Sequence, residues 1–500
     1  MLFYLLFFVF ILYYAYQLKR RLKLPPGPVP FHLLGNLPQL GFYVWNEGSL
    51  PKALQKFHEH HGDIFTIWMG PLPTVHIASM ELAHELMVKQ GNNFADRWAP
   101  LLFRYVNKGL GISMSNGNYW QEQRRFALQT LRNFGLGRNL IEERIMLEFD
   151  LQCSELEERR QSMNDDVVDI KKFFELMIAN IMNRLLFSER FTKDSEEEFF
   201  VLKNKFEETM ENLGFLDIYV NEWMLKAPFM KSRYDKLLQP VEEQSDFIHG
   251  KILERLEAIR QGEHVITDEG TDFVDAYLKK IDDEKDNPHT SFTQESLNMT
   301  LLDLWAAGQE TTTTVLLWAF IYFLHNSEVY QEASQEIQKV TQRSRALSLK
   351  DRTETPYFNA TITEVLRQAS IVTMNSFRLP KTDCTIGTYT IGSDVPITAQ
   401  ISLIMSDERY FGRTEQFRPE RFSEDKKLEP RVIPFGIGKR ACPGESLARA
   451  ELYLIIGNIL NKFEVEASGD CPIIDSTNRS GIVRKPEDYN VKLIPRYVLA

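Results

Sequence analysis

The sequence has little cysteine: Cys153, Cys384, Cys442 and Cys471 are the only four in 500 residues, and no two form a C-x-x-C pair. That excludes a disulfide scaffold and a zinc site built on clustered thiols, and it fits a reducing, cytosolic compartment. Basic charge is also short. Acidic residues outnumber Lys and Arg by 69 to 58, a net charge of −11, so a nucleic-acid partner, which needs a basic face, is not expected. After residue 40 there is no internal repeat and no Gly/Ser-rich linker. What is present is ordinary globular material, 43% hydrophobic with 34 Phe, enough for a large core.

Residues 1–17, MLFYLLFFVFILYYAYQ, carry no charge, and Lys19, Arg20, Arg21 and Lys23 follow. A helix of that length is roughly 25 Å long, near the short end for a bilayer span. A cleaved leader puts its basic residues before the apolar run and a small-residue site after it; here the basic residues come after. The expectation is an uncleaved anchor over 1–17, with the rest of the chain cytosolic by the positive-inside rule. Residues 18–40 read as a basic and proline-rich hinge, stiffened by Pro25-Pro26-Gly27-Pro28, and 41–500 as one large domain.

Within that domain, helical periodicity dominates 80–90, 117–132, 141–160, 166–187, 195–212, 242–260, 293–325, 328–343, 358–369 and 444–461. Strand-like runs are few: Ile64–Trp68, Thr74–Ile77, Thr385–Ile391 and Val395–Ser402. The polar stretch 260–292 reads as a surface loop. The fold class is mainly α with a small β region.

Four segments carry chemistry. In Pro434-Phe435-Gly436-Ile437-Gly438-Lys439-Arg440-Ala441-Cys442-Pro443-Gly444, glycines flank one cysteine, so backbone can approach a flat partner closely. A helix is expected to start just beyond, where its dipole and free N–H groups favour a thiolate. Ala306-Ala307-Gly308-Gln309-Glu310-Thr311-Thr312-Thr313-Thr314 lies in the middle of a long apolar helical pattern, yet its threonines and glycine are poor helix formers. Such local conflict marks functional positions. Gly308 could admit a ligand or water, and the Thr311 hydroxyl could bond the carbonyl of Ala307. Glu364 and Arg367 stand i, i+3 on a helix, with Pro419-Glu420-Arg421-Phe422 downstream. Trp120 and Arg124 stand i, i+4 in Gly117–Arg125 and suit a carboxylate.

Together these segments resemble the cytochrome P450 family, in particular the animal microsomal drug- and lipid-oxidising members, here of an invertebrate. The resemblance covers nearly the whole chain. It implies the P450 fold, a single domain enclosing haem b, with Cys442 as the axial thiolate and Phe435, Gly438 and Gly444 around it. It places Arg440, Trp120, Arg124, Arg97 and Arg378 on the haem propionates and Ala307 over the haem face. It gives Glu310 and Thr311 the delivery of protons to oxygen, and Glu364, Arg367 and Arg421 a buried structural network. Two segments depart from the family pattern. Met405-Ser406-Asp407-Glu408 replaces a His-x-Asp-Pro-like element, and Arg378 falls where a histidine is usual.

The implied activity is insertion of one oxygen atom from O2 into a lipophilic substrate: a xenobiotic, a sterol or a fatty acid, polyunsaturated ones among them. Electrons would come from NADPH through a separate cytochrome P450 reductase, with cytochrome b5 as a further partner, at the endoplasmic reticulum membrane. Arg125, Arg132, Arg138 and Lys439 are candidates for the docking face. The loop 98–115, Leu304, Ala307, residues 371–377 and Gly481-Ile482 are expected to shape the substrate site. Two other readings remain: a haem-thiolate isomerase or dehydratase that rearranges lipid peroxides without a reductase, and a non-catalytic haem protein. The intact Glu310-Thr311 pair speaks against both.

Overall fold

The computed structural model describes residues 2–134, 139–163, 166–213, 217, 220, 222–267, 270–474 and 483–496. Ten short strands are present among them: β1 (Ile64–Met69), β2 (Leu72–Ile77), β3 (Asp96–Arg97), β4 (Val167–Asp169), β5 (Arg378–Leu379), β6 (Cys384–Ile386), β7 (Tyr389–Ile391), β8 (Ile397–Ala399), β9 (Phe463–Ala467) and β10 (Asn490–Pro495). Helices account for most of the rest. Those that position the site are α1 (Leu2–Arg21), α2 (Gly117–Asn133), α3 (Ile170–Phe187), α4 (Glu196–Asn212), α5 (Pro228–Gln261), α6 (Gln294–His325), α7 (Pro356–Ala369) and α8 (Glu445–Lys462). The chain forms two compact units. The first takes in Met1–Pro100, Val372–Asp407 and Phe435–Ala441; the second takes in Leu101–Ile371, Glu408–Pro434 and Cys442–Ala500.

The first unit is built on a five-stranded sheet in the order β1-β2-β8-β5-β3. β1 and β2 form an antiparallel hairpin with Met69 opposite Leu72, and β2 pairs in parallel with β8. Phe65, Ile67, Val75, Ile77 and Ile397 are buried in it. The proline segment is not a free spacer. Thr66 donates from its backbone N–H to Pro26 (2.8 Å) and from its hydroxyl to Pro25 (2.9 Å), and a Cβ on Gly27 would lie 2.0 Å from the Thr66 carbonyl oxygen. Prolines offer no N–H but keep their carbonyls, so the segment docks as an acceptor strip along β1. α1 runs past the apolar stretch into Lys19, Arg20 and Arg21 in its last turn. Among the described residues, no helix is long and apolar enough to cross a membrane.

The second unit is helical around α6, with a small sheet in the order β4-β10-β9. Thr293 caps α6, its hydroxyl accepting from the Ser296 N–H. The threonine run does not break the helix. Thr311 and Thr314 donate to the carbonyls of Ala307 and Glu310, each at 2.8 Å, so the hydroxyls are satisfied along the helix's own surface.

Three expectations are corrected here. Gly308 does not open a space for ligand or water: a Cβ there would meet the Met182 sulfur on α3 at 2.7 Å, so the glycine lets two helices pack closely. The stretch 260–292 is not simply a loop, because Phe273–Asp283 is helical, started by Asp272 accepting from the Asp275 N–H. The helix read over 242–260 begins at Pro228 and runs through Pro240.

Candidate active site

Each unit contributes a set of donors. In the first, Gly436 and Gly438 have φ of +76° and +81°, which only glycine adopts without strain. A Cβ on Gly438 would lie 2.0 Å from the Met87 carbonyl oxygen, so the loop 435–441 is pressed onto the helical turn Glu85–Lys89. That fixes Arg440, which is 4% exposed and donates from Nε to the Ala95 carbonyl at 2.7 Å. Arg97 and Arg378 are cross-strand partners on β3 and β5, and Arg378 is 2% exposed. The departure from histidine at 378 therefore puts a second guanidinium directly opposite Arg97. Lys439 is engaged by the Asn92 side-chain oxygen.

In the second unit, Cys442 is exposed, three residues before α8 begins, with Gly444 at the cap position. A Cβ on Gly444 would stand 3.8 Å from the sulfur. On α2, Trp120 is buried and the Arg124 guanidinium lies 5.9 Å from its ring centre. Burial lowers the Arg124 pKa, and the nearby Cys442 works in the opposite direction. Arg125 and Arg132 are on the same helix; Arg138 lies outside the described residues.

Taken unit by unit, the chemistry of these donors fits haem b. Guanidinium groups in either unit, and the Trp120 indole N–H in the second, are the kind of donor that a propionate carboxylate takes. Among the described residues no cluster of three or more His, Cys, Asp or Glu could hold a bare metal ion. A single exposed thiol can instead complete the shell of an iron already held by a macrocycle.

α6 presents its other chemistry to a cavity of about 330 Å³ in the second unit. Met299, Leu302, Asp303, Ala306, Ala307, Glu310 and Thr311 line it from α6, joined by Leu102, Phe103, Val106, Phe206, Leu237 and Val483. These α6 positions recur every three or four residues and define one helix face. Leu304 is turned into the core and does not line the cavity, and neither does Ile371. Gly481 and Ile482 lie outside the described residues, although Val483 and Lys485 just beyond them reach the wall.

One end of this apolar cavity is charged, which the sequence did not reveal. Glu310 is ion-paired with Lys485 and stands 3.6 Å from Lys203 on α4. Lys203 and Glu207 sit i, i+4, a spacing that usually means a surface pair, yet Lys203 is only 4% exposed. Desolvation opposes the charge on both. The carboxylates around Lys203 outweigh it and hold the ammonium above its ordinary value; Lys203 and Lys485 outweigh it at Glu207, which falls to about 2.

Behind α6, Glu451 of α8 was also missed. It is 1% exposed and accepts one hydrogen bond, from Thr312 at 3.1 Å. Burial pushes it up to about 8. A carboxyl protonated when folded and ionised when unfolded loses stability as pH rises between its two pKa values. Glu451→Gln should therefore match wild type near pH 4.5 and become the more stable protein by on the order of a few kcal/mol by about pH 8. Chemical denaturation across that range checks it; a gap that does not change with pH contradicts it.

The family model described as Cytochrome P450 matches residues 25–493, across both units. A probable cytochrome P450, cyp-35D1 of Caenorhabditis elegans, is 35% identical over 474 residues, covering 94% of each chain. Cytochrome P450 2C55 of Mus musculus is 31% identical over 488 residues, 96% of each, and cytochrome P450 2A7 of Homo sapiens is 31% identical over 487 residues, 96% of this chain and 95% of the human one. Matched along nearly its whole length, the chain belongs to the cytochrome P450 family of monooxygenases, which hold haem b through a cysteine thiolate.

Proposed function

We propose that the Cys442 thiolate would hold the haem iron and that the protein oxidises lipophilic substrates with electrons from NADPH delivered by a separate reductase. Haem b with a thiolate ligand supplies the activation and cleavage of O2. The chain's residues do the rest. Arg440, Arg97 and Arg378 in the first unit, and Trp120 and Arg124 in the second, would each offer donors to the propionates; Phe435, Gly438 and Gly444 would shape the loop around the sulfur. The apolar wall from Leu102 to Val483 excludes water from the reacting carbon. Thr311 and Glu310 hold and pass protons at the cavity edge, and Ala307 leaves room for substrate beside them.

The observation that carries this reading is that Ala307, Glu310 and Thr311 line one cavity whose wall is otherwise mostly hydrocarbon. Arg125 and Arg132 on α2, and separately Lys439 in the first unit, are candidates for docking an acidic electron donor, reductase or cytochrome b5. The uncharged run in α1 followed by Lys19–Arg21 supports a membrane anchor at the endoplasmic reticulum.

Reconstitution with reductase and a lipid panel, read by mass spectrometry, tests the whole. Product must require NADPH; turnover of lipid hydroperoxide in its absence, with no NADPH-driven product, would make the isomerase reading the correct one. Thr311→Ala should lower product formed per NADPH by about tenfold or more while NADPH is still consumed, since positioned proton transfer contributes at least that much. Unchanged coupling would remove Thr311 from proton delivery.

A further inference from the structure

A pocket of about 450 Å³ opens at the foot of α1, wholly within the first unit. Leu18, Arg21 and Leu22 of α1 line one side; His61, at the end of the helix Leu50–His61, and Tyr389 of β7 line the other, with the proline strip between. Among its lining residues are two cationic side chain types, Arg and His, and no carboxylate. Asp394 and Asp63, carried by neighbouring segments, are ion-paired with Arg20 and, at 2.9 Å, with His58.

Arg21 donates from Nη2 to the Gly27 carbonyl at 3.3 Å, which steadies the guanidinium against the strip and uses one of its five N–H donors. The last carbonyls of α1 are already engaged: those of Leu18, Arg20 and Arg21 accept from the backbone N–H groups of Leu22, Lys23 and Leu24. The His61 imidazole makes no hydrogen bond among the described residues. Burial, with the charges of His60 and Arg21 behind it, holds it below its ordinary value, so Arg21 and His61 feel one another across the pocket. The rim is apolar. Leu18 is 46% and Leu22 81% exposed, and Val29, Phe31, Leu33 and Leu34 are exposed in the turn that follows the strip.

The depth of the pocket matches its chemistry. Along α1, Arg21 stands about 6 Å past Gln17, the last residue of the uncharged run. The headgroup layer on each side of a bilayer is roughly 5–8 Å thick. With the run in hydrocarbon, the pocket lies at the level of the lipid phosphates.

We propose that this pocket binds the phosphate of an anionic phospholipid, with Arg21 and His61 as its donors and the acyl chains lying along Leu18 and Leu22. The inference rests on α1 being a membrane anchor. A guanidinium takes phosphate oxygens bidentately. A phosphocholine headgroup brings its own cation beside Arg21 and His61 and is disfavoured; phosphatidic acid brings none.

The test uses full-length haem-loaded protein in a neutral detergent, titrated calorimetrically with dihexanoylphosphatidic acid, dihexanoylphosphatidylcholine and inorganic phosphate. The phosphatidic acid should bind at least about tenfold more tightly than either of the others, the worth of one charge-assisted hydrogen bond. Arg21→Ala and His61→Ala should each lower its affinity about tenfold and leave phosphatidylcholine unchanged, with far-UV circular dichroism to check folding. The wild-type order alone decides the matter if a variant folds poorly. Phosphatidylcholine binding as tightly as phosphatidic acid, or no heat from any of the three, overturns the proposal. Inorganic phosphate binding as tightly as phosphatidic acid overturns the lipid assignment and makes this a free phosphate site. Unchanged affinity in both variants removes Arg21 and His61 as the donors and overturns it too. The anchor is read separately, by flotation with phosphatidylcholine vesicles before and after alkaline carbonate. Protein released by carbonate overturns the anchor reading, whatever the titration gives.

Discussion

Cys442→Ser should abolish the red-shifted Soret band of the reduced, CO-treated protein and, with it, all NADPH-driven oxidation. The size of the effect follows from the chemistry of sulfur. A thiolate is soft and donates electron density to iron; a serine hydroxyl is a hard donor that stays protonated near neutrality, so the ligand is lost rather than weakened. No other thiol in the chain can stand in. Burial pushes Cys153 up to about 12, and burial also raises Cys384 and Cys471, so each remains a thiol at neutral pH. Cys442 follows the loop whose geometry Gly436 and Gly438 set, and the substitution removes one sulfur without touching either glycine. Far-UV circular dichroism should therefore be unchanged while the difference spectrum is lost. A variant that keeps the band would show that a different residue ligates the iron.

What the sequence revealed and what it concealed divide along a physical line. The loop around Cys442, the Glu310-Thr311 pair and the Glu364–Arg367 spacing were legible because each requires particular residues at fixed intervals along one local element. The charged cavity wall was not legible, because Lys203, Glu310 and Lys485 come from α4, α6 and the segment before β10, and nothing local signals that they meet. The same reason explains the helix missed at Phe273–Asp283. Asp272 and Asp275 look like surface polar residues, but their side chains are fully buried against Arg255, at 2.8 and 2.5 Å. Gly308 was misread for a related cause: its missing side chain was taken as room for a ligand, whereas Met182 from α3 already occupies that room. Local pattern gives the period and the motif, but tertiary partners decide what a bare or charged position is for.

Glu364→Ala should cost about 3–5 kcal/mol of stability, the range for breaking a buried ion pair from one side. The carboxylate is fully buried and gathers four donors: Arg367 Nε and Nη2 at 2.8 Å each, Arg421 Nε at 3.1 Å and the Arg418 backbone N–H at 3.0 Å. The two arginines are 3% and 2% exposed. They in turn bind carbonyls of the loop between Phe411 and Gln416: Arg367 reaches Thr414 at 2.8 Å, and Arg421 reaches Phe411, Gly412 at 3.1 Å and Gln416 at 2.9 Å. Removing the acid leaves two like charges side by side in the core of the second unit. A surface pair such as Lys285–Asp282 offers the contrast, since its loss should cost less than about 1 kcal/mol. Glu364→Gln keeps the shape and part of the hydrogen bonding, so it should fall between the two. The measurement is the denaturant midpoint of the three variants at constant slope, followed by haem retention on dilution. If Glu364→Ala lost no more than the surface variant, the network would be dispensable, and the loop from Phe411 to Gln416 would have to be held by other contacts.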